Sequence, residues 1–445
     1  MSTSPAATDQ RAAQPGGHPL GRHVDSYYSR TMRHPQPRPA LYGVARADAV
    51  VVGAGLAGLT TARELLRAGR SVIVLEAQAA AWGASGRNGG FVSPGYARGL
   101  KDLVAISGRE DAQALYRLSS QAVDYVWDSL GQLGLPRPQQ RQGHLHAQRF
   151  DSAQAAQAEA DWLARVGGDQ QEVWPTDKVR SRFRSTVYHQ GVFTPKAFHF
   201  HPLDYGQALA LEIERLGGAI YEGAPVLGSR LDGPQKQLTT SQGEVRAADV
   251  IFCCGGYSTA VEPRLRRAIL PIATHAMVTE PLDAAVLATA VRSDAALSDD
   301  RLACDYYRRI DGNRLLWGGR ITARQRPPRQ LANLLRGDLL RVYPQLRGKV
   351  TVAAAWSGLM SYARHKMPQI GRLQDGVWYG TAFGGHGMNT TALAGQLLAG
   401  AIAEKDDRWR LFAPYDLAWN GGLFGPAAIQ LSYWGYQLAD HWRER

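Results

Sequence analysis

AVVVGAGLAGLTTARELLRAGRSVIVLEA, residues 49–77, decides the fold. A wholly apolar run, 49–52, enters Gly53-Ala54-Gly55-Leu56-Ala57-Gly58 without a polar break. Leu56, Leu59, Ala62, Leu65 and Leu66 then recur at helical spacing, and Gly69 stands where a left-handed residue closes a helix. Residues 71–75 read as a second buried strand that ends at Glu76. A strand, a glycine-rich turn, a helix and a second strand ending in an acid make up the dinucleotide-binding fingerprint. Gly53 permits the tight turn, Gly55 lets backbone approach a pyrophosphate, and Gly58 lets the helix close on its strand. Glu76 is placed to accept both ribose hydroxyls, with Leu56 and Ala57 completing the turn and Ala77 following the acid.

Working outward, 445 residues exceed one simple core, so two domains sharing a cleft are expected. The fold class reads as α/β, α+β overall: a Rossmann-like cofactor domain with an inserted antiparallel-sheet substrate domain. Residues 1–45 are a polar N-terminal extension. The cofactor domain is discontinuous, drawn from 46–99, 200–270 and 350–410. Residues 100–199 and 271–349 build the substrate domain, and 411–445 a C-terminal helical extension. Within the substrate domain, alternation at 273–279, 306–310 and 314–319 predicts antiparallel strands, with a hairpin turn at Asp311-Gly312.

The net charge of +12 invites a nucleic-acid reading, but the arginines are scattered, and groups such as 308–309 and 324–329 sit among strand and turn signals. No nucleic-acid partner is expected; the charge instead favours a positive cleft for an anionic ligand. Cys253, Cys254 and Cys304 cannot make a disulfide framework, which points to a reducing cytoplasm. The leader lacks an apolar core, and no run is long enough to span a bilayer, so neither a secretory signal nor stable membrane insertion is expected. His144 with His146, and His199 with His201, alternate as strand residues do; no further ligands of suitable spacing accompany them, and no metal is expected. The aromatic stretch 423–442 has an amphipathic pattern that suits either a membrane or partner surface or the protein's own core.

The fingerprint alone does not separate FAD from NAD; the next loop does. Gly83, Ala84, Ser85, Arg87, Asn88, Gly89 and Gly90 form a small-residue loop in which backbone can lie against a flat ring, with Arg87 supplying charge for a phosphate or ring carbonyl. The run GASGRNGG after VIVLEA, Asp25-Ser26-Tyr27-Tyr28, His201-Pro202-Leu203 and the stretch from Trp356-Ser357-Gly358 to Gly371-Arg372 together resemble the D-amino-acid oxidase superfamily, most narrowly its gamma-glutamylputrescine oxidase-like branch. The resemblance spans residues 25 to about 405. It implies FAD and oxidation of a carbon–nitrogen bond, and adds Val226, Cys254, Gly255, Gly256, Trp356 and Gly358 to the cofactor site.

Near the C-terminus Gly384-Gly385-His386-Gly387-Met388-Asn389 leads into a helix from Thr390, whose first turn offers backbone donors and partial positive charge to an anionic flavin edge. In the family this loop lies beside the flavin ring. His386, Tyr307, Arg320 and Tyr362 are the candidate catalytic residues, with Tyr306 a further cleft wall: tyrosines orient an amine, Arg320 faces flavin and oxygen, and His386 either bonds in the site or packs.

Amino-acid oxidases of the superfamily carry an arginine after Gly-Leu to grip a carboxylate. This chain has Gly358-Leu359-Met360-Ser361, which favours a small-molecule amine over an α-amino acid, and no flavin-tethering cysteine stands there, so FAD is expected to be noncovalent. The expected reaction is hydride transfer from a primary or secondary amine, gamma-glutamylputrescine-like, giving an imine that hydrolyses to an aldehyde. Reoxidation is by O2, yielding H2O2, or by another acceptor. D-amino-acid or N-methyl-amino-acid oxidation, and FAD binding without amine turnover, are the alternatives.

Overall fold

The computed structural model describes residues 22–33, 35–257, 262–301, 304–324 and 327–443. Residues 1–21 and 444–445 of the two extensions, and Gln325 and Arg326 of the arginine-rich run, lie outside them. In chain order the principal elements are α1 (Tyr27–Thr31), β1 (Gly43–Val52), α2 (Leu56–Arg67), β2 (Val72–Leu75), α3 (Leu100–Gln132), β3 (His144–Ala147), β4 (Glu172–Trp174), β5 (Gly191–Thr194), α4 (Pro202–Arg215) and β6 (Ala219–Tyr221). There follow β7 (Gly228–Arg230), β8 (Lys236–Thr239), β9 (Gly243–Phe252), β10 (Leu270–Thr279), β11 (Ala296–Asp299), β12 (Tyr306–Ile310), β13 (Arg314–Thr322) and α5 (Leu331–Val342). The chain closes with β14 (Val352–Tyr362), β15 (Gln369–Gln374), β16 (Val377–Thr381), α6 (Gly387–Ala403) and α7 (Gly425–Arg443).

The first sheet runs β15-β16-β9-β1-β2-β6, with the β7–β8 hairpin attached to β9. From β16 to β6 the pairing is parallel, as in Val50↔Ile73 and Val50↔Val250. Strands covered on both faces need apolar residues at every position, and Ala49–Val52 are all buried. Ala49 and Val51 pack into the core formed with α2, α3, α4 and α6, whereas Val50 and Val52 face a second core with Leu238, Val245 and Phe252.

The second sheet runs β14-β10-β13-β12-β11-β3-β5-β4 and is antiparallel except between β11 and β3. Its far face packs on α5 through Trp317, Leu331, Leu335 and Leu339. The turn joining β12 to β13 has Asp311 at φ 47° and Gly312 at φ 73°, the pair of positive values that a primed hairpin turn requires.

Two expected boundaries shift. β14, placed by sequence in the cofactor unit, pairs with β10 from Leu270↔Tyr362 to Thr279↔Val352 and so belongs to the second sheet. Its buried residues largely alternate, with Ala354 and Trp356 packed against Ala276, Val278 and Leu316, the pattern of a strand covered on one face. α3, placed in the substrate unit, packs instead in the core beneath α2 and α6. The part of the N-terminal extension that is described also folds inward: Tyr28 is fully buried and accepts from Arg308 Nη2 at 3.2 Å.

Candidate active site

A cavity of about 380 Å³ is lined by the turn after β1, the end of β2, the loop 82–91, the turn after β9, strands β12–β14 and the turn before α6. The three glycine-bearing turns thus converge on one space.

At one part of this cavity Gly53 sits at φ +103°, a conformation that L side chains rarely adopt, and a Cβ on Gly58 would fall 2.0 Å from the Gly53 carbonyl oxygen. α2 begins at Gly55 with no side-chain cap, although Ser85 Oγ accepts from Leu56 N at 3.0 Å. The rest of its first turn keeps the donor character of a helix start that suits a phosphate. Glu76 accepts from Ala54 N through Oε2 at 2.7 Å and from Gln78 N through Oε1 at 2.8 Å. Burial pushes its carboxyl above the ordinary value, against the pull of those donors. Ala77 N is a third backbone donor to this carboxylate, which, with about four acceptor sites, keeps capacity for a ribose hydroxyl.

Arg87 is the most informative side chain of the loop. It is 8% exposed, with Nε donating to Trp82 O at 2.8 Å and Nη1 to Tyr257 OH at 3.1 Å. Its guanidinium carbon lies 4.0 Å from the Trp82 ring centroid and 5.2 Å from that of Tyr257. Nη2 is buried without a hydrogen-bond partner, and among the described residues no carboxylate pairs with Arg87. Burial accordingly depresses its pKa. A buried cation with an idle donor on the cavity wall is built for an acceptor that the described residues do not supply.

Toward β12–β14 the lining is largely aromatic and apolar. Tyr306 lies across Gly318, where a Cβ would come within 2.4 Å of its hydroxyl, and packs edge-on to Phe91. Tyr362 covers Gly384 and Gly385, and burial pushes its phenol up to about 12. Met360 and Ser361 also line the cavity.

Three expected catalytic positions are corrected. Tyr307 does not reach the cavity: it follows Tyr306 on β12 and therefore points to the opposite face, stacked on Trp317 at 4.6 Å with its hydroxyl 2.5 Å from that of Tyr343. Arg320 turns away between the lining residues Gly319 and Ile321, and its Nε and Nη2 bind Asp338 at 2.5 and 2.9 Å. His386 precedes α6 without lining the cavity, and its buried imidazole packs on the segment 93–94, with Nε2 3.0 Å from Ser93 O and 3.2 Å from Pro94 O.

Several expected cofactor residues support the lining without belonging to it. Trp356 Nε1 donates to Arg87 O at 2.8 Å, Asn389 Nδ2 to Gly95 O at 3.2 Å, and Thr390 Oγ1 to His386 O at 2.7 Å. Gly90 packs under Phe200. The remaining expected residues line the cavity: Gly55, Leu56, Ala57, Ala77, Gly83, Ala84, Ser85, Asn88, Gly89, Val226, Cys254, Gly255, Gly256, Gly358, Gly384, Gly385, Gly387 and Met388. Sequence reasoning missed Tyr257, whose hydroxyl also accepts from Leu359 N at 2.9 Å. Its position directly after Gly255-Gly256 was the available signal. The paired histidines are structural: His144 bonds Ser298, His199 contacts Arg308, and His201 caps α4.

A family model described as FAD dependent oxidoreductase matches residues 48–401. The chain belongs to this family. This FAD-dependent oxidoreductase is 28% identical over 431 residues to a probable oxidoreductase, OrdL, of Haemophilus influenzae, across 95% of this chain and 98% of that one. It is 29% identical over 395 residues to the gamma-glutamylputrescine oxidoreductase of Escherichia coli, across 88% and 92%. Among solved structures, glycine oxidase from Geobacillus kaustophilus superposes with a TM-score of 0.71 at 18% identity, covering 84% of this chain and 98% of that chain. FAD is the cofactor, and the glycine cradle, the acceptor capacity left on Glu76 and the unpaired Arg87 donor fit it.

Proposed function

We propose that the protein oxidises a primary or secondary amine of the gamma-glutamylputrescine type to an imine, which water hydrolyses to an aldehyde. The observation that carries this reading is the β14 wall. Gly358, Leu359, Met360, Ser361 and Tyr362 line the cavity with no cation among them, and β10, β12 and β13 add only Thr274, Tyr306, Gly319 and Ile321. An α-carboxylate next to the reacting carbon would be left without a partner there, at the cost of an unpaired charge. An amine whose carboxylate is remote meets aromatic and thioether surface instead.

When bound, FAD supplies the ring that accepts hydride from a carbon bearing nitrogen. Tyr306 and Tyr362 confine the amine, and the walls exclude water. The start of α6 contributes partial positive charge beside the lining residues Gly384 to Met388. No Asp, Glu, Lys or His of β10 or β12–β14 lines the cavity, so these strands supply no base and the reaction draws on the neutral form of the amine. Cys304 lines the cavity with its thiol pushed up to about 12 by burial, which keeps it protonated and favours noncovalent FAD. O2 is the proposed acceptor, giving H2O2. Three cysteines and no disulfide pattern favour a reducing cytoplasm, and the scattered arginines argue against a nucleic-acid partner.

The test is anaerobic mixing of the yellow holoenzyme with gamma-glutamylputrescine, putrescine, D-alanine and sarcosine, followed by a peroxide assay in air. Bleaching is expected with the putrescine compounds. Faster bleaching by D-alanine or sarcosine would overturn the substrate class, and persistent colour across a broad amine panel would favour FAD binding without turnover.

A further inference from the structure

α7 is an aromatic-rich element that the site does not absorb. One face packs on the second sheet: Tyr433 is buried with its hydroxyl accepting from Ile321 N at 3.0 Å, and Gln430 Oε1 accepts from Thr322 Oγ1 at 2.9 Å. The opposite face carries Leu431, Trp434, Leu438 and Trp442, which are 63, 52, 61 and 77% exposed, with Phe424 just ahead of the helix at 80%. Their spacing is one helical stripe. From Gly425 to Asp440 the only Asp, Glu, Lys or Arg is Asp440, which is on the buried side. A contiguous, charge-free aromatic stripe of this kind marks an interaction surface rather than scattered exposure.

The flanks of the stripe are cationic. Lys366 Nζ lies 5.7 Å from the Tyr436 ring centroid. Arg267 adjoins the helix start, where its carbonyl accepts from Asn420 N at 2.7 Å, and Arg324 follows Ala323, whose N–H donates to Gln430 at 3.2 Å. All three are exposed, and none has an ion pair among the described residues. A second copy packed helix to helix would bring two such basic rims together, which like-charge repulsion disfavours. An anionic lipid surface complements both the rim and the stripe, because tryptophan settles at the headgroup level and basic residues are drawn to acidic headgroups.

We propose that α7 docks this enzyme on an anionic phospholipid surface, lying in the interface without crossing it. No helix among the described residues is long and apolar enough to cross a membrane. Docking would bring lipid within one layer of the cavity, because the Ile321 held by Tyr433 lines it.

The experiment is co-sedimentation of FAD-loaded protein with phosphatidylcholine vesicles, with and without phosphatidylglycerol. Binding at least about tenfold stronger to the anionic vesicles, weakening with salt, is expected. Trp434→Ser/Leu438→Ser/Trp442→Ser should lower the partition coefficient by at least about tenfold while keeping flavin absorbance. Arg267→Gln/Arg324→Gln/Lys366→Gln should remove the preference for anionic lipid. If the serine variant loses flavin, quenching of the wild-type tryptophans by brominated acyl chains decides in its place, and absence of quenching overturns the proposal. So do lack of binding to anionic vesicles, undiminished binding of the serine variant, or a dimer in light scattering that the serine variant abolishes.

Discussion

Arg87→Met isolates the donor that the described residues leave unpaired. Hydrogen bonds to charged groups contribute about 1.5–3 kcal/mol. If Nη2 serves the cofactor, the Kd for FAD should therefore rise about 10- to 150-fold, at about 1.4 kcal/mol per decade. The apoprotein should respond differently. It loses the bonds from Arg87 to Trp82 O and Tyr257 OH but is relieved of an orphaned buried donor, which costs about 1–3 kcal/mol. These terms oppose each other, so the apo melting temperature should move little, while the gap between apo and holo midpoints narrows by linkage. Arg87→Lys keeps the charge without the planar fork and should fall between wild type and Met. Titration of apoprotein with FAD, followed by flavin fluorescence, and paired thermal melts measure both quantities. A Kd within about twofold of wild type would refute the reasoning and make Arg87 a purely structural cation.

Tyr307→Phe should leave amine turnover unchanged but strand the buried Tyr343 hydroxyl, lowering stability by about 1–3 kcal/mol in chemical denaturation; a selective loss of kcat would restore Tyr307 to the site. Acid should destabilise the protein early. His144 and His199 are lowered by burial to about 3, so both are neutral in the fold yet protonate in the unfolded chain near 6.5. Their contribution is complete above pH 6.5 and is lost as pH falls through that value toward 3, at about 1.4 kcal/mol per unit for each histidine. Melting temperature against pH should slope accordingly, and His199→Gln should flatten the curve; an unchanged slope would count against the burial argument.

The cofactor end was legible because its chemistry is local. Gly53, Gly55, Gly58 and Glu76 lie within one strand–helix–strand unit, and the backbone constraints on each act within a few residues of it. The substrate end was legible only in part. Tyr306 and Tyr307 are adjacent and chemically alike, and strand alternation sends one into the cavity and the other into the core. Which of the two faces inward depends on the register of β12 against β13, set by pairings such as Tyr306↔Gly318. Arg320 and His386 were misread for the same reason: proximity to lining residues in sequence does not fix side-chain direction.

By itself the amino-acid order determined the strand–turn–helix cradle, the acid for the ribose and the absence of an arginine at Met360-Ser361, since each is a property of consecutive residues. Only the tertiary structure decided that Asp338 claims Arg320, that Arg87 keeps an idle donor among Trp82 and Tyr257, and that α7 covers the second sheet with one face and leaves the other bare. Those outcomes depend on which distant side chains meet, and a partner far along the chain leaves no local periodicity by which to foresee it.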